Sequence, residues 1–177
     1  MVDLNKLAAE IHEAAVKKGF WDVEDAEEKH LAKMISELGE VVQADRAGVM
    51  YEVERDGAKP EGVIAELADF VMMALDMYAY VGVNVNNAVS VFIFDDYRTS
   101  LGAEIAERPV YNVVNLLDMA LNKFFNPDTI ADVNGCVLVT TYGTCCWTLA
   151  QGFDLWEIIR QKMAYNESRP ALHGRKY

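Results

Sequence analysis

Residues 66–80 read ELADFVMMALDMYAY, and the way this stretch folds decides how the rest of the chain is read. Wound as an α-helix at about 100° per residue, Ile64, Leu67, Ala68, Phe70, Val71, Met72, Ala74, Leu75 and Tyr78 cover most of its circumference. Glu66, Asp69 and Asp76 then share a strip about 80° wide. A helix apolar nearly all round belongs in a core, so that strip faces an interior or a cleft. Carboxylates placed there lose their hydration, at a cost of several kcal/mol per ion. They must be protonated, paired with bases or bound to cations. Along the sequence no Lys or Arg lies between Lys59 and Arg98, which makes a divalent cation the simplest solution.

Upstream, residues 33–46 read KMISELGEVVQADR. Glu37 and Glu40 stand three residues apart, on one side of a helix whose apolar stripe is Leu31, Met34, Ile35, Leu38, Val41 and Val42. Taken alone, an ExxE pair is an ordinary solvated face. Packed antiparallel against the 66–80 helix, it meets ExxD. Four oxygen donors with no His or Cys among them suit Mg²⁺ or Mn²⁺ rather than zinc. Structural ion pairing of Glu66 and Asp69 stays open, and Asp76 fits either a fifth acid or the partner of a base.

Helical periodicity extends over the whole chain of 177 residues, which is expected to be a single all-α domain, a helical bundle. Asp3 caps a first helix to about Lys18, which Gly19 ends. Asp22 and the acidic run DVEDAEE suit the start of a second helix, closed by Gly48. YEVERDGAKP is a polar loop, Pro60 sits at the first position of the third helix, and Gly82 ends it. Asn84 starts another helix, VSVFIFDDY is helical or irregular, and further helices follow at about 110–124, 130–150 and 155–165. The tail NESRPALHGRKY is basic and irregular.

The second half repeats the first in worn form. YAYVGVNVNNAV at 78–89 and TLAQGFDLWEII at 148–159 match in pattern at an offset of 70, which sets Cys136, Val139 and Cys146 opposite Glu66, Asp69 and Asp76. At an offset of 78, Asn115 and Asp118 stand opposite Glu37 and Glu40. The expectation is an internal tandem duplication. An acid-bearing half spans 1–89, a degenerate half 90–165, and a basic tail 166–177.

Composition narrows the function classes. A net charge of −12 disfavours nucleic-acid polymers and anionic membranes as partners. An acidic protein binds a polyphosphate only with metal ions between the two. No apolar run approaches the roughly 18 residues of a spanning helix, and MVDLNKLAAE lacks the pattern of a signal peptide. Three cysteines without metal spacing suit reduced thiols in a cytoplasm.

SELGE at 36–40 with ELAD at 66–69 resembles the ExxE…ExxD signature of the all-α nucleoside triphosphate pyrophosphohydrolases, the MazG-like and dCTP-pyrophosphatase-like superfamily. The 25 residues between Glu40 and Glu66 fit its spacing. IHEAAVKKGFWD at 11–22 and KMAYNESRPALHGRKY at 162–177 look like its bacterial and phage MazG-like branch, so 90–150 is left unmatched. The resemblance implies hydrolysis between the α- and β-phosphates, giving a nucleoside monophosphate and pyrophosphate. It places Glu37, Glu40, Glu66 and Asp69 at the metal-ligand positions, with Glu37 or Glu40 orienting the attacking water. His12 and Trp21 match residues that line the base pocket in the dCTP-pyrophosphatase branch, and Met73 stands where that branch commonly has an aromatic. Relatives are dimers or tetramers, and a homodimer is the expectation here.

The tail places Lys162, Asn166, Arg169, His173, Arg175 and Lys176 within one segment, the cations among them suited to clamp phosphates. Lys162 and Arg169 are the preferred pair. His30 forms a lone ExxH with Glu27 and is taken as surface. Two other readings stand beside the hydrolase: a non-catalytic helical interaction protein of the same fold, and a di-iron carboxylate bundle, which calls for a second ExxH.

Overall fold

The computed structural model describes residues 2–53, 58–93 and 103–174. It is all-α: among the described residues the sole β-type pairing is an isolated antiparallel bridge between Glu52 and Glu61. No described helix is long and apolar enough to cross a membrane. The chain forms two compact units, Met1–Val83 with Trp156–Tyr177, and Asn84–Leu155.

In the first unit, α1 (Leu4–Lys17) begins where the Asp3 side chain accepts a hydrogen bond from the Lys6 amide at 3.1 Å. It buries Leu4, Leu7, Ala8 and Ile11, the i, i+3, i+4, i+7 stripe of an amphipathic helix. α2 (Ala26–Ala47) starts later than Asp22 would set it: Asp25 takes the cap position at φ 54°, and Glu27 and Glu28 fill the first turn. Its buried stripe is His30, Met34, Glu37, Leu38 and Val41. Glu37 is therefore a core position, whereas Ile35 is half exposed.

The link to α3 (Val63–Val81) is built by backbone rather than by Pro60, which lies ahead of the helix. Glu52 and Glu61 exchange two amide–carbonyl bonds of 3.0 Å, and the amides of Val63 and Ile64 donate to the carbonyls of Val49 and Met50. Two donors that a helix start leaves without intrahelical partners are thereby satisfied. Gly62 makes this approach possible, since it sits at φ 101° and a Cβ on it would lie 2.9 Å from the Met50 carbonyl. α3 is buried along most of its length and packs on both α1 and α2. Glycines in the left-handed region close α2 and α3, Gly48 at φ 74° and Gly82 at φ 78°.

In the second unit, Asn84 caps α4 (Val85–Ile93), its side chain accepting from the Asn87 amide at 2.9 Å. VSVFIFDDY is thus helical as far as Ile93; residues 94–97 lie outside the described residues. α5 (Val110–Phe125) buries Val110, Val113, Leu117, Ala120 and Leu121. A capping box of Thr129 and Asp132 opens α6 (Ile130–Val137). The run continues through a π-helical segment, Leu138–Gly143, into α7 (Thr144–Ala150). Gly143 faces Ile105, whose Cδ1 is 2.9 Å from where a Cβ would stand.

α8 (Leu155–Glu167) enters the first unit from Trp156 onward. Its buried positions are Leu155, Ile158, Ile159 and Lys162, so a lysine holds the i+7 place of an apolar stripe. A 3₁₀ turn at Ala171–Gly174 follows, and the Leu172 amide donates to the Lys18 carbonyl at 2.8 Å.

Candidate functional site

All of the site lies in the first unit. α2 and α3 run antiparallel, with His30 beside Met73 at one level and Glu37 beside Glu66 at another. One turn along α2 from Glu37 stands Glu40. Glu37, Glu40 and Glu66 each present an oxygen within 4.8 Å of the other two. Glu37 is 9% exposed and Glu66 6%, so neither is a solvated helix edge.

Asp69, one turn beyond Glu66, lies in the same cleft but outside that triad. Its Oδ2 accepts a hydrogen bond of 2.6 Å from Lys162 Nζ. The same ammonium is 3.8 Å from Glu66 Oε2, and Lys59 Nζ is 3.8 Å from Glu66 Oε1. The absence of bases along residues 60–97 is therefore not an absence in space. Lys59 arrives from the loop before α3 and Lys162 from α8. Even so, Glu66 Oε2 is buried and accepts no hydrogen bond from the described residues.

Crowding and burial set the protonation of these acids. Burial, then the charges of Asp69 and Glu40, push the Glu37 carboxyl up to about 7. Burial also raises Glu66 against the pull of Lys162. A carboxyl that titrates near neutrality can hold or release a proton around pH 7.

A second polar group centres on Asp76. Its Oδ1 pairs with His12 Nδ1 at 2.6 Å and accepts from Trp21 Nε1 at 3.0 Å, while His30 Nδ1 is 3.8 Å from its Oδ2. Trp21 stacks between His30 and Tyr80, with ring centres 5.0 and 4.1 Å away. Burial raises the Asp76 carboxyl and lowers His30. His30 is buried, with Nε2 2.9 Å from the Met73 carbonyl, which corrects its reading as a surface residue. Asp76 thus joins His12, Trp21 and His30, and it is not part of the carboxylate triad.

Between these groups opens a cavity of about 910 Å³. Glu37, Glu40, Asp69 and Asp76 line it together with Lys17, Lys18, Lys29, Lys33, Lys59, Lys162 and Arg169. Asn166, Phe20, Met72 and Met73 also face it, whereas His12 and Trp21 stand behind Asp76 and do not line it. The volume is that of a small-molecule site. Arg169 places its guanidinium 5.7 Å from the Tyr165 ring centre and its NH1 3.4 Å from Asn166 Oδ1. Lys18 holds the tail in place by donating to the carbonyls of Glu167 and Arg169.

Of the residues singled out in the sequence, Glu37, Glu40, Asp69, Lys162, Asn166 and Arg169 line one cavity, and Glu66 stands among its acids. The His173 side chain, Arg175 and Lys176 lie outside the described residues. Lys59 and His30 escaped the sequence reading. His30 carried a signal, standing two helical turns before Glu37 on the same face of α2, whereas Lys59 comes from a loop and carried none. Lys162 carried a signal too, as a cation on an apolar stripe.

The chain matches no protein-family model, no curated protein and no solved structure.

Proposed function

We propose that the cavity binds a nucleoside triphosphate and that the protein hydrolyses it, with Mg²⁺, to the nucleoside monophosphate and pyrophosphate. The observation that carries this reading is the triad of Glu37, Glu40 and Glu66, three oxygens within 4.8 Å on a largely buried footing. An all-oxygen donor set of this charge suits a hard divalent cation. The buried Glu66 Oε2, without a hydrogen-bond donor among the described residues, is the kind of atom such an ion satisfies. When bound, the ion supplies charge neutralisation for the phosphates and a more acidic water.

The chain's own groups divide the remaining work. Glu40 and Glu66 hold the acidic niche, and Glu37, part of the same triad, orients the attacking water. Lys33, one turn before Glu37 with its ammonium 4.7 Å from the Phe20 ring centre, and Arg169 across the cavity meet the phosphate oxygens. Phosphoryl-type displacement asks chiefly for placement and charge stabilisation, so no nucleophilic side chain is required.

Pyrophosphate release from a panel of ribo- and deoxynucleoside triphosphates with Mg²⁺ tests the reading. Glu37→Gln and Glu66→Gln should each abolish release while the helical circular dichroism stays unchanged. Release that persists undiminished in both variants overturns it.

The Lys162–Asp69 pair favours a second reading, a helical binding protein whose buried acids are neutralised by lysines. That protein would bind the nucleotide, or nothing, without releasing pyrophosphate. The di-iron reading gains no support, since the clustered donors among the described residues include no histidine.

A further inference from the structure

Among the described residues Lys162 is the one Lys or Arg that is buried, at 1% exposure. Its ammonium is 2.6 Å from Asp69 Oδ2 and 3.8 Å from Glu66 Oε2. An ammonium so fully withdrawn from water depends on the carboxylates it faces. Lys59, by contrast, has a side chain 38% exposed and can move aside. The four acids Glu37, Glu40, Glu66 and Asp69 carry four negative charges when ionised, and the two lysines within ion-pair distance of them return two positive ones. What remains is the charge of a single divalent ion. A second divalent ion at Asp69 would have to share the place of the Lys162 ammonium.

We propose that Lys162 stands permanently where a second divalent ion would sit, so that the site takes one ion, held by Glu37, Glu40 and Glu66, and Asp69 serves the lysine rather than the metal. The geometry points the same way, because the three triad oxygens lie within 4.8 Å of one another and Asp69 is outside that set. Asp69 is then a positioning residue that keeps the lysine in place at the edge of the triad. The proposal rests on the hydrolase reading only in requiring that a divalent ion bind at all.

Mn²⁺ titration of the full chain decides it, with bound and free ion read by electron paramagnetic resonance and the stoichiometry checked by calorimetry. The wild type should bind one Mn²⁺. Asp69→Asn should still bind one, with affinity within about tenfold, since it removes no ligand. Lys162→Met leaves Asp69 free and should bind a second ion. Because that variant can fail to fold, the double variant Lys162→Met/Asp69→Asn, which removes both charges, is measured beside it and should bind one. Two ions in the wild type, or loss of binding in Asp69→Asn, overturns the proposal. Those results leave the hydrolase reading intact, whereas a wild type that binds no Mn²⁺ overturns both. Conversely, one bound ion without pyrophosphate release sinks only the hydrolase.

Discussion

The unit Met1–Val83 with Trp156–Tyr177 buries charge, and the unit Asn84–Leu155 buries hydroxyls. In the first, His30, Glu37, Glu66, Asp76 and Lys162 lie inside; in the second, Thr140, Thr141, Thr144 and Thr148 do. Their partners differ as much as their chemistry. Thr140, Thr141 and Thr148 donate to carbonyls three or four residues back on their own helical run, around the widened turn of the π segment. Asp76 and Asp69 instead meet His12, Trp21 and Lys162, which lie 64, 55 and 93 residues away. Hydroxyls satisfied within one turn cost the fold little and leave no chemistry to spare. Charges that need partners from other helices define a place where those helices must meet, and there the cavity is found. The second unit shows no comparable cluster of acids or histidines among its described residues; Asn115 and Asp118, set opposite Glu37 and Glu40 by the sequence repeat, are exposed.

From this contrast, removing one buried charge should outweigh any single hydroxyl. Lys162→Ala strands Asp69, leaves Glu66 with Lys59 alone, and should destabilise the protein by about 3–5 kcal/mol in urea denaturation. A loss under about 1 kcal/mol would show the pair to be a solvated contact. The next largest effect is one of pH. The folded protein keeps the Glu37 proton up to about 7, while the unfolded chain releases it near the ordinary glutamate value of 4.5. Between those limits the native state binds more protons, so metal-free stability should fall as pH rises from 4.5 to 7, by about 3 kcal/mol at most, and level off above. Glu37→Gln should remove that slope, read as the difference between the two melting curves. Equal slopes in both proteins would place Glu37 in water.

Two smaller changes sharpen the comparison. Gly62→Ala forces a side chain into a left-handed conformation and against the Met50 carbonyl, and should cost about 2 kcal/mol by chemical denaturation. In the second unit, Thr144 Oγ1 is buried and makes no hydrogen bond to the described residues. Thr144→Val should therefore leave stability within about 1 kcal/mol, on either side of the wild type. A large loss would reveal a buried polar network in the second unit after all.

The sequence carried the local part of this structure. Asp3, Gly48 and Gly82 mark helix ends because each acts through its own backbone neighbours. The apolar girth of α3 gave away its central place, and with it the improbability of Glu66 and Asp69 as surface residues. Where the reading missed, the deciding contact was distant or competed with a local cue. Asp22 and Pro60 are good helix starters, yet the acidic turn and the Glu52–Glu61 bridge move both helix starts onward. His30 turns inward because Asp76 and the Met73 carbonyl receive it there. Lys162 was legible as a cation near the site, but not as the counter-charge of Asp69. Only the packing of α8 supplies that.

The span of chain separating Lys162 from Asp69 also orders events in time. A ribosome delivers α3 long before α8, and at about 5–20 residues per second the wait is on the order of 5–20 s. During that interval Asp69 lacks the ammonium it pairs with in the finished fold, and of the lysines in ion-pair reach of the acids only Lys59, beside Glu66, has been made. The Asp69 charge therefore waits on the last helix for its counter-charge.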